Sequence, residues 1–108
     1  MNLLELVNYF RNGGTYEEFC QERSLNPESE VIEIYMKKPF SIDNDLAFFE
    51  IENTEGNTEY TFHGETYFYL FDFYYFQDAI EETNSPEKLH LSDEAIAKLL
   101  YHYAIYDA

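Results

Sequence analysis

The run EYTFHGETYFYLFDFYYF, residues 59–76, decides the fold of this chain. Its first part alternates polar and apolar residues, which is typical of strands. Gly64 interrupts the alternation and indicates a bulge or a tight turn. We therefore predict one strand over residues 59–63 and the next over residues 65–71.

The end of the same run changes from strand spacing to helix spacing. Asp72 is a predicted N-cap, and the apolar residues after it recur three and four positions apart up to Thr83. Residues 73–76 also suit a longer strand, so the sequence leaves this boundary open. A last helix is predicted over residues 92–106, because Ser92 can cap it and its apolar residues share one stripe.

Two further helices are predicted at the start of the chain. Asn2 can cap the first, which ends at the glycine pair that begins with Gly13. The second begins at Thr15, and Thr15 and Glu18 have the spacing of a capping box. It ends before Pro27, because proline disfavours a helical conformation in the residue that precedes it.

Between these helices and the opening run, residues 31–36 and 46–52 show the alternation of strands. We expect a hairpin through Gly56 to join the second of them to the strand over residues 59–63. The predicted order is ααββββαα, which is typical of an α+β fold with an antiparallel sheet of about four strands, here a meander. With 108 residues the chain is expected to form a single α+β domain, residues 1–108.

Charge is distributed unevenly along the chain, whose formal net charge is −16. No Lys or Arg occurs between Lys38 and Lys88. The acidic residues in that stretch are Asp43, Asp45, Glu50, Glu52, Glu55, Glu59, Glu65, Asp72, Asp78, Glu81, Glu82 and Glu87. Like charges repel one another and oppose folding. We therefore favour the interpretation that this negative field attracts a basic partner over the interpretation that it serves only solubility. The same repulsion predicts a stability that rises with salt, and as the pH falls from about 7 toward about 5.

The composition excludes several classes of partner. Nucleic acids and anionic membranes are bound through clusters of basic residues, and the chain has 6 Lys and Arg against 22 Asp and Glu. No apolar run has the length needed to span a bilayer. The start of the chain lacks the basic and apolar segments of a signal peptide, and Cys20 has no second cysteine to pair with, so we expect a cytoplasmic protein.

The sequence contains no complete motif for catalysis, metal binding or cofactor binding. Asp43 and Asp45 resemble the start of a calcium loop, but Phe48 and Thr54 occupy the positions where such a loop needs Gly and Glu. The histidines lack the spacing of zinc ligands. Cys20 is expected in the core, because free cysteine is commonly buried. We therefore expect no metal, no cofactor and no enzymatic activity.

The aromatic residues divide by spacing into an inner and an outer set. Those expected to face the core are Tyr60, Phe62, Phe68, Phe73 and Phe76. Those on the opposite phase, where solvent is expected, are Tyr67, Tyr69, Tyr74 and Tyr75. Exposed tyrosines among carboxylates are typical of protein-binding surfaces, because tyrosine offers contact area and a hydroxyl at a small entropy cost. The alternative is that a second layer, such as a terminal helix, covers them.

We predict a protein-binding surface on the outer side of the sheet, formed by Glu50, Glu52, Glu59, Glu65, Tyr67 and Tyr69. Glu50 and Glu52 would share one side of their strand. The hairpin through Gly56 would then bring them opposite Glu59 across about 5 Å. The expected partner is a basic protein surface.

The chain combines a small size with acidic strands around Glu50-Ile51-Glu52 and Glu59-Tyr60 and with tyrosines next to carboxylates. It resembles the small acidic immunity proteins with which bacteria neutralise the toxins of competing cells. The resemblance implies that the carboxylates mimic phosphates and occupy the basic cleft of a nuclease-type toxin domain. Two alternatives stay open: a nucleic-acid mimic that acts on DNA-binding or phage-defence proteins, and a small ligand-binding domain or enzyme with an aromatic pocket.

Overall fold

The computed structural model describes residues 1–107. In it, helices and strands alternate more often along the chain than the sequence predicts. In chain order the elements are α1 (Leu3–Arg11), α2 (Tyr16–Glu22), β1 (Ile32–Met36), β2 (Leu46–Glu50), α3 (Ile51–Thr54), β3 (Glu59–Phe62), β4 (Glu65–Asp72), α4 (Phe73–Glu82), α5 (Asp93–His102) and a π-helical turn (Tyr103–Asp107). The class is α+β as expected. The short helix α3 between β2 and β3 is the departure from the predicted order ααββββαα.

The predicted N-caps form. In each, a side-chain oxygen accepts a hydrogen bond from the backbone N–H three residues later, at 2.8 to 3.2 Å, and the capping residues are Asn2, Thr15, Asp72 and Ser92. Asp72 caps α4, and residues 73–76 are helical. Of the two assignments that the sequence left open for these residues, the helix is therefore correct.

The strands form one antiparallel sheet in the order β2-β1-β4-β3, so that β1 and β4 are central. The prediction of a meander is therefore wrong. β2 and β3 follow each other along the chain but occupy opposite edges, and no hairpin through Gly56 pairs them within residues 1–107. The tight turn lies at His63 and Gly64, between β3 and β4, with φ angles of 51° and 80°. Positive φ at both central residues suits a tight hairpin turn whose twist matches that of the strands.

β2 ends at Glu50, two residues before the predicted end of this strand at residue 52. Its partner β1 begins at Ile32, which lies directly opposite Glu50. One more backbone hydrogen bond follows, from the N–H of Ile51 to the carbonyl of Val31 at 2.9 Å, and the paired register goes no further. The chain instead forms α3 from Ile51, and Glu55 ends this helix in a left-handed conformation with φ of 57°.

Four helices, α1, α2, α4 and α5, pack on one face of the sheet. The buried side chains there include Leu3, Leu6, Val7, Phe19, Ile34, Met36, Phe71, Phe73, Phe76, Ile96 and Leu100. The prediction that Phe73 and Phe76 are core residues is confirmed. Phe68 is only partly buried, and Phe62 is 36 % exposed, so its prediction as a core residue is wrong.

Candidate protein-binding surface

The face of the sheet opposite the four helices carries a second group of aromatic rings, which we call the concave-face cluster. Its members are Tyr35, Phe49, Tyr60, Phe62, Tyr67 and Tyr69. The ring centroid of Phe49 on β2 lies 4.8 Å from that of Tyr60 and 5.4 Å from that of Phe62, both on β3. Across a flat sheet, three strand spacings would hold these edges about 14 Å apart. The sheet is therefore strongly curled around this cluster.

Tyr60 and Phe62 face the concave side and not the helical core, which corrects their predicted orientation. Tyr60 lies opposite Tyr67, and Tyr69 lies opposite Tyr35, so all of them project from the same face. Alternation along a strand shows which residues share a face, but it does not show which face meets the helices. Here both faces are apolar, and the sequence pattern alone could not distinguish them.

The concave-face cluster grades from a buried centre to an exposed rim. Tyr35 is 0 % exposed at the centre and Phe62 is 36 % exposed at the rim. Tyr67 and Tyr69 lie between these extremes and are half-buried. Burial, together with the nearby carboxylate of Asp72, raises the pKa of Tyr69 to about 12, so its hydroxyl keeps its proton. The tyrosines predicted to face solvent here are thus partly covered by neighbouring rings.

The remaining two tyrosines of the predicted outer set have different surroundings. Tyr74 is 60 % exposed, as predicted. Tyr75 is half-buried and stacks on Tyr103 of the C-terminal π-helical turn, with ring centroids 4.3 Å apart. The alternative that a terminal helical segment covers the outer tyrosines is therefore correct for Tyr75.

A buried polar network fixes the segment that crosses from β2 to β3. Glu33 of β1 and Thr54 of α3 are 5 % and 1 % exposed, and the Thr54 hydroxyl donates to the Glu33 carboxylate. The Tyr35 hydroxyl lies 3.4 Å from the same carboxylate and donates to the carbonyl of Asn57. Because a buried carboxylate is costly unless it is hydrogen-bonded, these contacts hold the crossover against the concave-face cluster.

Glu65, at the start of β4, is the acidic neighbour of the concave-face cluster. Its carboxylate accepts from Lys37 Nζ at 3.1 Å and from the Tyr67 hydroxyl at 3.2 Å. The hydrogen bond from Lys37, followed by that from Tyr67, lowers the pKa of Glu65, and the same pairing raises the pKa of Lys37. Part of the predicted acidic surface is therefore already neutralised within the protein.

Glu50 and Glu52 hold the loop between α2 and β1. Glu50 is half-buried, and its carboxylate accepts from the N–H of Asn26 at 2.9 Å. Glu52 accepts from the Ser29 hydroxyl at 2.5 Å and from the N–H of Glu30 at 3.0 Å. The bond from Ser29, followed by that from Glu30, lowers the pKa of Glu52. This direction runs against the expected rise of carboxyl pKa values by crowding, because local donors outweigh repulsion at this position.

The predicted six-residue surface is consequently divided. Glu65, Tyr67 and Tyr69 share one side of β4, as period two predicts, and they adjoin the concave-face cluster. Glu59 is exposed but lies opposite Phe68 in the register, on the other side of the sheet. The predicted contact of Glu50 and Glu52 with Glu59 across a hairpin is wrong, because β2 and β3 occupy opposite edges.

Many carboxylates have no partner inside the protein. Within residues 1–106, those that form no hydrogen bond or ion pair are Glu17, Glu18, Glu22, Glu28, Glu30, Asp43, Glu55, Glu59, Asp78, Glu81, Glu87 and Glu94. A large share belongs to residues 17–30, outside the stretch that the charge pattern singled out. Arg23 lies within this acidic segment of the sequence. Its guanidinium, however, lies over the rings of Phe19 and Phe48, 5.6 Å from each centroid, and pairs with none of these carboxylates.

Other chemistry has little support in the part of the chain that the structure describes. No group of three or more His, Cys, Asp and Glu residues is placed to hold a metal ion, and no helix is long and apolar enough to cross a membrane. Cys20 is buried, and burial raises the pKa of its thiol, which disfavours the reactive thiolate. His63 stacks on Phe62 with ring centroids 4.0 Å apart.

Comparisons with protein families, with curated proteins and with solved structures found no match to this chain.

Proposed function

We propose that this protein is an inhibitor that binds a basic surface of another protein. Within that class, we propose that it is a bacterial immunity protein that neutralises a nuclease-type toxin in the cytoplasm. The observation that carries the proposal is the set of carboxylates that have no hydrogen bond or ion pair within residues 1–106. Such a set weakens the folded state by repulsion, and a basic partner would relieve that repulsion by supplying the opposite charge.

The basic residues of the chain do not balance this field, because most of them are already engaged. Arg11 pairs with Asp93 at 2.8 Å, Lys37 with Glu65 at 3.1 Å and Lys88 with Glu82 at 3.3 Å. Lys38 lies 4.2 Å above the ring centroid of Phe68. A partner rich in Lys and Arg would supply the missing charge, and long-range attraction would speed its approach.

The rim of the concave-face cluster offers anchoring side chains for such a partner. Phe62 and Tyr67 are partly exposed beside Glu65, and large aromatic residues dominate the binding energy of many interfaces. Carboxylates would therefore guide association, and the aromatic rim would slow dissociation. Phosphate mimicry by the carboxylates would explain why a nuclease is a suitable target.

The same charges support a second candidate, a nucleic-acid mimic that acts on DNA-binding or phage-defence proteins. It differs from the first only in the partner. We do not propose an aromatic ligand pocket on the concave face, because the ring of Phe49 fills that space and contacts the rings of Tyr60 and Tyr67, at centroid distances of 4.8 and 5.3 Å.

The test begins by capturing partners on the immobilised protein from extracts of the producing cells and of competing strains, at low and at high salt. We expect a basic protein that is retained only at low salt and that has nuclease activity, which falls to background at one inhibitor per enzyme. Capture of a basic DNA-binding protein without nuclease activity would support the nucleic-acid mimic instead. A neutral or acidic partner, or retention that salt does not alter, would contradict both.

A further inference from the structure

A groove runs between α2, the loop after it and α4, and we call it the α2–α4 groove. Its outer part has a volume of about 680 Å³ and is lined by residues that include Tyr16, Glu17, Pro27 and Glu28. Its inner part has a volume of about 150 Å³ and includes Tyr16, Pro27, Phe73 and Tyr74. Tyr16 and Pro27 line both parts, so the two parts are adjacent.

The two ends of the α2–α4 groove differ in chemistry. The inner end is uncharged and rich in aromatic rings. Phe73 is 2 % exposed there, and its ring centroid lies 5.2 Å from that of Tyr16. Burial raises the pKa of Tyr16, so this ring stays uncharged. Tyr74 is 60 % exposed, and its hydroxyl donates to the Glu30 carbonyl at 3.0 Å, which holds it at the groove wall.

The outer end of the α2–α4 groove is acidic and uncompensated. Glu17 and Glu28 line it, and neither carboxylate has a hydrogen bond or an ion pair. No Lys or Arg lines either part of the groove among the described residues. The cleft of about 760 Å³ between α1 and α5 has one unpaired carboxylate, that of Glu94, whereas its Glu5 and Asp93 carboxylates already accept hydrogen bonds within the protein.

An aromatic floor that leads to free carboxylates matches one kind of side chain. Arginine and lysine have an apolar stem and a cationic head, and they favour apolar surfaces for the stem while the head meets a carboxylate. Aromatic faces such as those of Tyr16 and Tyr74 also attract the cation itself. A neutral or acidic side chain would leave Glu17 and Glu28 without compensation.

We propose that the α2–α4 groove is a docking site for an extended basic segment of a partner protein, with one arginine or lysine stem on Tyr16 and Pro27 and its head between Glu17 and Glu28. The site rests on the proposed basic partner and adds which part of this protein recognises it. It lies outside the six residues that the sequence predicts for binding.

The probe is a fluorescein-labelled 12-residue peptide in which arginine alternates with glycine. The groove variant Glu17→Gln/Glu28→Gln is compared with the control variant Glu87→Gln/Glu94→Gln. Both variants lose two charges, and each loses one unpaired glutamate in the first turn of a helix and one in a loop. Fluorescence anisotropy gives the affinity, and backbone amide NMR shifts locate the peptide. A third variant, Tyr74→Ala, tests the groove wall without a change of charge.

We expect the groove variant to weaken binding about tenfold and the control by no more than about twofold. Tyr74→Ala should weaken binding as well, and NMR shifts should concentrate at Tyr16, Gln77 and residues 27–29. Equal weakening in the two double variants, shifts spread over the whole acidic surface, or no saturable binding at low salt would overturn the docking site. None of these results tests the proposed function. The capture experiment tests it, and the proposed function fails if the captured partner is not basic.

Discussion

The crossover between β2 and β3 should depend on the hydroxyl of Thr54, so Thr54→Val is an informative substitution. Valine has nearly the same shape, but it loses the donor to the buried Glu33 carboxylate and the acceptor for the N–H of Gly56 at 3.2 Å. Glu33 would then be left with the Tyr35 hydroxyl at 3.4 Å, whose single proton is donated to the Asn57 carbonyl. A hydrogen bond to a charged group contributes about 1.5–3 kcal/mol and a neutral one about 1 kcal/mol, so the expected loss is about 2.5–4 kcal/mol.

Urea unfolding at pH 7, followed by tyrosine fluorescence and far-UV circular dichroism, measures this loss. Thr61→Val is the matched control, because Thr61 is exposed and its hydroxyl contacts only the Thr66 hydroxyl, at 3.2 Å. Its expected effect lies within about 0.5 kcal/mol. Adding Glu33→Met to Thr54→Val should recover much of the loss, because the variant with both substitutions buries no unpaired carboxylate.

A loss below about 0.5 kcal/mol for Thr54→Val, or a loss equal to that of Thr61→Val, would refute this reasoning. It would mean that the Glu33 network does not hold the crossover. A double variant with Glu33→Met that is less stable than Thr54→Val alone would show that the carboxylate has another buried partner.

Three further outcomes follow from the structure. Tyr9→Phe should leave the melting temperature unchanged or raise it, because the Tyr9 hydroxyl oxygen is buried and has no hydrogen-bond partner within residues 1–107; a clear drop would contradict this. The pKa of Glu65 is lowered from 4.5, so its pairing with Lys37 stabilises the fold above that pH and is lost as the pH falls through the folded-state value. Glu65→Gln should therefore lower the melting temperature at pH 7 but not at about pH 3, and a pH-independent difference would count against the pairing. The melting temperature of the unmodified protein should rise when NaCl increases from about 0.05 to about 0.5 M, since screening relieves repulsion among the unpaired carboxylates, and a flat response would show that they do not repel.

Local signals in the sequence were sufficient to predict α1, α2, α4 and α5, but not the short helix α3. Asn2, Asp72 and Ser92 act as caps through contacts three residues away, so they can be recognised without knowledge of the fold. The order of the strands depends on contacts between distant residues. β2 ends where its pairing with β1 stops, and the crossover is fixed by Glu33 and Thr54, which are far apart in the chain.

The candidate surface was predictable only where one strand carries it. Period two correctly places Glu65, Tyr67 and Tyr69 on one side of β4. It could not show that Glu50 and Glu52 bind the loop over residues 26–30, because those partners come from another part of the chain. The free carboxylates of α2 do not stand out in the sequence, because Arg23 follows them directly, whereas in the fold its guanidinium lies over the ring of Phe19.

The central claim is that unpaired carboxylates draw in a basic protein, and stopped-flow association with the captured partner tests it most directly. The association rate constant should fall steeply as NaCl rises from about 0.025 to about 0.5 M, while the dissociation rate changes little. A variant with Glu55→Gln and Glu59→Gln, both unpaired, should associate more slowly at low salt and approach the unmodified protein at high salt. An association rate that does not respond to salt in either protein would contradict the claim.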